Sequence, residues 1–290
     1  MKCGIVILNY NSYKKTIQLI HNIEKQKVKD LNLQICIVDN NSQNNSYMIL
    51  KKYLAKMKCV NKVYLLKSNS NQGYSAGNNI GIEYLMDKGV TSICICNNDI
   101  KFNSSFIQSG FQILNDSGSA IIAPQIVQGK RNIPPLYKRR PTFFSFVWRG
   151  PLLPLRKLTV LGYKPHKQYI YAMSGACFFI DIKIFNSVYL FDTNVFLYGE
   201  ELILGEKLYK RKYKVLFYPD LRVYHEDSAT TKKAITLDKR FEIMYQSLKY
   251  YLGEYRSDIP KSAIPIIIFL TRFERFYSKL KSSLFIRIFK

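Results

Sequence analysis

Short apolar runs alternate with amphipathic stretches through residues 1–100. Ile5–Leu8 is a continuous apolar run, as suits a strand buried on both faces. Ser12 can cap a helix over about Tyr13–Gln26, with Ile17, Leu19, Ile20 and Ile23 apolar. Leu33–Val38 predicts a second buried strand and Ser46–Lys56 a helix. Val63–Leu66 predicts a third strand, Ala76–Lys88 a helix and Ser92–Cys96 a fourth strand. Strand and helix alternate, so the expected fold is α/β with a mostly parallel central sheet and flanking helices.

In such sheets ligands sit beyond the carboxyl ends of the strands. Each predicted strand ends in a polar cluster: Asn9-Tyr10-Asn11, Asp39-Asn40-Asn41-Ser42, Asn69 to Gly73, and Asn97-Asn98-Asp99. Together they predict a pocket along one sheet edge. Residues 130–168 are basic, aromatic and proline-containing, and read as a long loop or short helices. Tyr171–Ile180 is strand-like, and Val215–Tyr218 and Arg222–Tyr224 predict two further short strands. After about Thr231 the pattern is helical and basic.

The 290 residues and 47% hydrophobic content support a sizeable core, as one large domain with an appendage or two modest ones. The balance of 44 Lys+Arg against 20 Asp+Glu, a net +24, calls for an anionic partner: nucleic acid, a membrane face or a phosphorylated substrate. Six cysteines lie mostly in apolar runs without a CxxC pair, and are expected to be buried reduced thiols, which favours the cytosol. No signal peptide is expected, because the N-terminus runs straight into a strand. The apolar stretch Ile264–Leu270, broken by Pro265, falls far short of the ~20 residues that span a bilayer.

Several residues carry chemistry with a plain alternative beside it. Asp99 can supply a carboxylate to Mg2+ or Mn2+ on a diphosphate, or merely end a strand in an Asx turn. Asp39 can accept from a base N–H or serve as a turn residue. The segment Asn71 to Gly81 is a glycine-studded loop entering a helix, where glycines let backbone approach a ligand and the helix N-terminus favours phosphate, without Walker or GxGxxG spacing. Glu200-Glu201 can form a general base with a raised pKa, or an exposed helix start. His225 is a ligand or a structural histidine, and His21 reads as structural.

The ordered set resembles the family 2 glycosyltransferases, most of all their rhamnosyltransferase-like branch. It comprises Val6 to Asn11, Ile37 to Ser42, Asn71-x-Gly73-Tyr74-x-x-Gly77-Asn78-x-x-Gly81, Asn97-Asn98-Asp99, Ser174-Gly175-Ala176, Phe191-Asp192, Phe196-x-Tyr198-Gly199-Glu200-Glu201, and Tyr218-Pro219 leading to His225. The resemblance spans roughly residues 4 to 231. It implies a GT-A (Rossmann-like) catalytic domain over 1–231, with a nucleotide-sugar half over about 1–128 and an acceptor half over about 129–231. A basic helical region would follow over 232–290. It implies an inverting transferase that moves a sugar from a UDP- or dTDP-sugar to a hydroxyl of a glycan or lipid-linked acceptor, in cell-surface polysaccharide synthesis.

By that resemblance Glu201 is the base and Glu200 its neighbour on the acceptor. Asn9, Tyr10, Asn11, Asp39, Asn41, Asn71, Gly73, Asn78, Asn98, Ser174 and Gly175 line the donor. Asp99, with His225, holds the Mg2+ or Mn2+. The chain departs from the pattern at Asn97, which replaces the first carboxylate of the DxD-like element, and at Ile203 and Lys207. Two other readings stand: an inactive scaffold, motivated by Asn97, and a nucleic-acid binder, motivated by the charge alone and not expected. The basic, aromatic tail from Lys232 to Lys290 suits an anionic membrane surface, a nucleic-acid surface, or ordinary packing on the catalytic domain. The first of these places the protein in the cytoplasm, peripheral to the inner membrane.

Overall fold

Alternation along the first strand sets the architecture. In β1 (Lys2–Asn9), Ile5 and Ile7 point to one face and Val6 to the other, and all three are fully buried. The computed structural model describes residues 1–58, 60–147, 164–188, 191–225 and 236–273. Its strands after β1 are β2 (Asn32–Asp39), β3 (Lys62–Lys67), β4 (Ser92–Asn97), β5 (Ile100–Phe102), β6 (Ile121–Gln128), β7 (Arg131–Ile133), β8 (Gln168–Ile170), β9 (Cys177–Asp181) and β10 (Val215–His225). They form one sheet in the order β3-β2-β1-β4-β9-β6-β10-β5, with β7 on β6 and β8 on β10.

Helices cover both faces. On one face α1 (Tyr13–Glu24), α2 (Ser46–Lys56) and α4 (Phe106–Ser117) bury Leu19, Ile20, Ile23, Leu50, Phe106 and Phe111 against Ile5, Ile7, Ile35, Ile37 and Phe179. On the other, α3 (Gly73–Asp87), α6 (Lys183–Val188) and α7 (Glu200–Lys210) bury Ile82, Leu85, Ile184, Leu204 and Leu208 against Val6, Val38, Ile93, Ile95 and Phe178. A short α5 spans Phe143–Val147. The α/β expectation stands, and β3, β2, β1 and β4 are parallel as expected. Beyond β4 the sheet is mixed, because β9 runs antiparallel to both β4 and β6. That inversion leaves β6 and β10 parallel to the first four strands, so their C-terminal ends share one rim.

Other expectations shift in detail. The single strand expected over 171–180 splits, because Tyr171 and Ala172 turn aside to pair with Tyr137 and the next segment forms the rim loop. The two strands expected over 215–224 are one, with an irregularity between Tyr218 and Arg222 at Pro219. Ser12 starts α1 through its carbonyl, which accepts from Lys15 and Thr16, while its side chain turns to Asn9 and Asn98. His21 meets the Tyr53 hydroxyl at 2.6 Å, a structural contact between α1 and α2. The five described cysteines are free and buried, and burial pushes the Cys3 and Cys36 thiols up to about 12.

The described part of the C-terminal region packs on α7. Helix α8 (Leu237–Tyr250), a π-turn at Tyr251–Tyr255 and a helix over 264–273 bring Leu248, Tyr251, Leu252, Ile264 and Ile267 against Leu202, Ile203, Val195 and Phe146. A polar clamp reinforces this contact. Arg140 forks onto both oxygens of fully buried Glu206, at 2.9 and 2.7 Å, and onto Asp258. Buried Arg256 forks onto the same Asp258, and the Tyr171 hydroxyl donates to Glu206 at 2.7 Å. The tail beyond 273, with Arg275, Lys279, Lys281, Arg287 and Lys290, lies outside the described residues, as do Lys232 and Cys59.

Removing Glu206 takes from Arg140 its buried bidentate partner, leaving it Asp258, and takes from the Tyr171 hydroxyl its buried acceptor. Glu206→Ala is expected to destabilise the fold by about 3 kcal/mol, read by urea unfolding.

Candidate active site

The rim begins where β1 and β2 end side by side, with Asn9 opposite Asp39. Asp39 is fully buried, and its oxygens are bonded locally. Asn9 Nδ2 donates to Oδ2 at 2.7 Å, Ser42 Oγ to Oδ2 at 2.7 Å, and the Ser42 N–H to Oδ1 at 3.0 Å. Ser42 Oγ also accepts from the Asn11 N–H, and Asn11 Oδ1 accepts from the N–H groups of Gln43 and Asn44. The two strand-end loops are thus latched together. Asn11 and Asn41 sit at φ 53° and 56°, a left-handed conformation that asparagine tolerates. Tyr10 and Asn41 are half-buried beside the latch.

The same network reaches β4. Thr16 Oγ1 donates to Asn9 Oδ1 at 2.8 Å, and Asn98 Nδ2 donates to Ser12 Oγ at 2.7 Å and Thr16 Oγ1 at 2.9 Å. Asn98 therefore pins α1 to the end of β4. Next to it, Asp99 is held between two basic side chains. His225 Nε2 lies 3.1 Å from Oδ1, and Lys15 Nζ lies 3.7 Å from Oδ2. The register of β10 on β5, His225 opposite Ile100, makes this meeting possible. No group of three or more His, Cys, Asp or Glu placed to hold a metal occurs among the described residues.

The glycine-studded segment forms the seam between the latched ends of β1 and β2 and the acid pair. Gly73 has φ 93°, and a Cβ there would stand 1.9 Å from the Phe196 carbonyl oxygen. The Tyr74 N–H donates to that carbonyl, and the Tyr74 hydroxyl donates to the Gly175 carbonyl at 2.7 Å. Asn40 Nδ2 donates to Asn71 Oδ1 and the Gly73 carbonyl, and Asn78 Nδ2 donates to the Tyr74 carbonyl. Gly77 and Gly81 lie against Leu8 and Val6, which lets α3 settle on the sheet. The sequence suggested glycines opened toward a ligand; here they open toward the protein's own strands and loops.

The acid pair starts α7. Tyr198 and Gly199 both take positive φ, 64° and 101°, and this turn aims Glu201 at the rim. The Gly175 N–H donates to Glu201 Oε1 at 3.1 Å, and a Cβ on Gly175 would come within 2.9 Å of the same oxygen. Glu201 is half-buried, whereas Glu200 is buried and its Oε2 has no partner among the described residues. Burial, then the charge of Glu201, pushes the Glu200 carboxyl well above its ordinary range. Burial also raises Glu201, against the N–H groups of Glu201, Gly175 and Gly199, which favour the charged form. Ser174 is half-buried and accepts from the Ala176 N–H.

One chain of contacts now joins the separate motifs. It runs from Asp39 through Asn9 and Thr16 to Asn98, then through the Asn97 N–H on the Ala176 carbonyl to Gly175 and Glu201. Sequence reasoning missed Lys15, the Tyr74 hydroxyl, and the contribution of α8. Ser247 Oγ donates to the Leu197 carbonyl, and Arg240 lies against Tyr198, favouring its ionised form against the effect of burial. Tyr74 lies inside the glycine-studded motif, which gives no role to its hydroxyl; no motif marks the others, because they lie in an ordinary helix or in the basic tail.

The family model of glycosyl transferase family 2 matches residues 4–187. The chain belongs to this family. Glu200, Glu201 and His225 follow the matched segment, so their assignment rests on the geometry above. The chain is similar to the low-salt glycan biosynthesis hexosyltransferase Agl10 of Haloferax volcanii, 25% identical over 202 residues, covering 69% of this chain and 59% of that protein. It is also similar to the dTDP-rhamnosyl transferase RfbF of Shigella flexneri, 26% identical over 122 residues, 42% of this chain and 38% of that protein. Among solved structures, GalNAc-T7 with UDP, GalNAc and Mn2+ superposes with a TM-score of 0.64 at 14% identity, over 95% of this chain and 54% of that one. At that identity the likeness is one of fold, the GT-A glycosyltransferase architecture.

Two outcomes follow for this family member. Gly73→Ala is expected to cost at least about 1–2 kcal/mol from the positive φ alone. The clash with Phe196 adds to that loss and pries open the seam, so calorimetry with a nucleoside diphosphate should read weakened binding. Secondly, the folded chain keeps protons on Glu200 and Glu201 that the unfolded chain releases. The contribution of this pair to stability is therefore expected to be fully present at or below the ordinary glutamate value of 4.5 and to be lost as pH rises through the raised values. Glu200→Gln should lessen that loss in urea unfolding measured across pH.

Proposed function

We propose that the protein is an inverting glycosyltransferase that moves a hexosyl or deoxyhexosyl group from a UDP- or dTDP-sugar to a hydroxyl of a glycan or lipid-linked acceptor. The observation that carries this reading is Glu201: a half-buried carboxylate at a helix N-terminus, fixed by the Gly175 N–H, on the rim that also holds Asp99 and His225. The similarity to a hexosyltransferase and a dTDP-rhamnosyl transferase supports the donor class. The latched ends of β1 and β2, with Asn9, Tyr10, Asn11, Asp39 and Asn41, are the natural seat of the base. With its oxygens already bonded, Asp39 shapes that seat.

The donor set at Asp99 and His225 suits a hard divalent ion in a limited way. One carboxylate and one imidazole leave most positions to phosphate oxygens and water, as Mg2+ and Mn2+ accept. GalNAc-T7, alike in fold, carries Mn2+ together with UDP. When bound, such an ion neutralises charge on the departing nucleoside diphosphate. Glu201 takes the proton from the acceptor hydroxyl. That oxygen attacks the anomeric carbon on the face opposite the leaving group, through an oxocarbenium-like state. Its raised pKa makes Glu201 a stronger base than an exposed glutamate, at the cost of losing the ionised form on the acid side.

The reading extends to the cytoplasmic membrane face. The helix over 264–273 exposes Ile266, Phe269 and Phe273 at 54, 66 and 56% beside Arg272, which is exposed and pairs with Glu242 at 3.1 Å. This apolar row with a basic neighbour supports contact with an anionic surface during cell-surface polysaccharide synthesis. Among the described residues no helix is long and apolar enough to cross a membrane.

Glu201→Gln is expected to lower turnover by about 10²–10⁴-fold while leaving nucleotide binding intact. Wild-type turnover should decline as pH falls through the raised Glu201 value. Unchanged turnover of nucleotide sugars in the variant would remove Glu201 as the base. Absence of turnover in both forms would favour the inactive scaffold.

A further inference from the structure

We propose that Lys15 is a cationic ligand for the donor's diphosphate, built into the corner where the divalent ion would sit, so that nucleotide binding outlasts removal of that ion. The inference rests on the donor reading above and deepens it. Its starting point is a shortage of carboxylates. Asn97 stands where the element would offer a first acid, and the Asn98 Nδ2 is spent on Ser12 and Thr16. Asp99 alone remains, and among the described residues no third ligand joins it and His225.

Each oxygen of Asp99 faces a basic side chain, His225 on Oδ1 at 3.1 Å and Lys15 on Oδ2 at 3.7 Å. The two partners differ in depth. The Asp99 side chain is 8% exposed and that of Lys15 21%, so Lys15 is the more accessible of the two to an arriving diphosphate. Lys15 comes from the first turn of α1, which carries no acidic residue to neutralise it. The N-terminal dipole of that helix adds to the positive potential there.

An ammonium and a divalent ion compete for one carboxylate, because ligand capture by the metal requires a free Asp99 oxygen. Lys15 thus weakens ion binding to the empty site. Once phosphate oxygens arrive, the same ammonium can pivot to them, since a lysine on its flexible stem acts as a mobile point charge. The arrangement predicts opposite signs for two measurements on one variant, which loss of a merely structural contact would not give.

The test uses the full chain, with Lys15→Met and Lys15→Arg variants whose side chains suit a helix. UDP and dTDP binding is measured by calorimetry in EDTA and in saturating Mn2+. Mn2+ binding without nucleotide is measured by electron paramagnetic resonance. The wild type is expected to bind nucleotide in EDTA within about tenfold of its affinity in Mn2+, and Lys15→Met to lose about tenfold or more in EDTA. Lys15→Met should also bind free Mn2+ more tightly, and Lys15→Arg should retain nucleotide binding in EDTA. Equal nucleotide affinity of wild type and Lys15→Met in EDTA would overturn the proposal, as would unchanged Mn2+ affinity or a wild type that binds no nucleotide in EDTA. In each case nucleotide binding in Mn2+ leaves the donor reading standing. Failure of the wild type to bind either nucleotide even in Mn2+ would overturn both.

Discussion

A fully buried carboxylate persists only where its oxygens find hydrogen-bond donors. Asp39 has no exposed surface and meets that condition through Asn9 and Ser42. The requirement fixes far more than one side chain. Asn9 can serve Asp39 only because β1 and β2 lie in register, and its own oxygen then calls in Thr16, which receives Asn98 from β4. The apolar strands place their polar ends at one level, and the bonding needs of those ends join them into a rim. Asp99, His225 and Lys15 assemble on that rim, and so does the Gly175 loop that holds Glu201.

The C-terminal region gives the acid pair its second support. Tyr198 and Gly199 take a backbone course that costs energy without a brace. Helix α8 supplies one through Ser247 on the Leu197 carbonyl and Arg240 on Tyr198. The Arg140–Glu206–Tyr171 clamp binds the same helix α7 to the segment leading to Gly175. Both partners of the Gly175–Glu201 hydrogen bond are therefore anchored from behind. In its described part, the basic tail is a wall of the catalytic unit, and the exposed row at Ile266, Phe269 and Phe273 lies on the helix that ends that part.

The sequence carried the alternation, and with it β1 to β4, α1 to α3 and the common level of their ends, because buried parallel strands write continuous apolar runs. It also carried the pairing of Asp99 with His225 and the place of Glu201 through an ordered set of motifs. Helix α4 and strand β6 went unassigned, although Phe106, Ile107, Phe111 and Leu114 follow a helical period there. The antiparallel entry of β9 was not legible, since strand direction depends on contacts remote in sequence. Lys15 was equally invisible: a lysine in a helix reads as a solvated charge until the fold sets it against Asp99. The seam at Gly73 looked like a phosphate loop because close approach to a ligand and close approach to another backbone ask for the same residue.

The position of a bound donor tests all of these roles at once. A crystal structure of the chain soaked with a UDP- or dTDP-sugar and Mn2+ would show it directly. The expected result is the base at the ends of β1 and β2, the diphosphate between Asp99, His225 and Lys15, and the anomeric carbon facing Glu201. A donor bound elsewhere, or a sugar turned away from Glu201 with the diphosphate remote from Asp99, would contradict it.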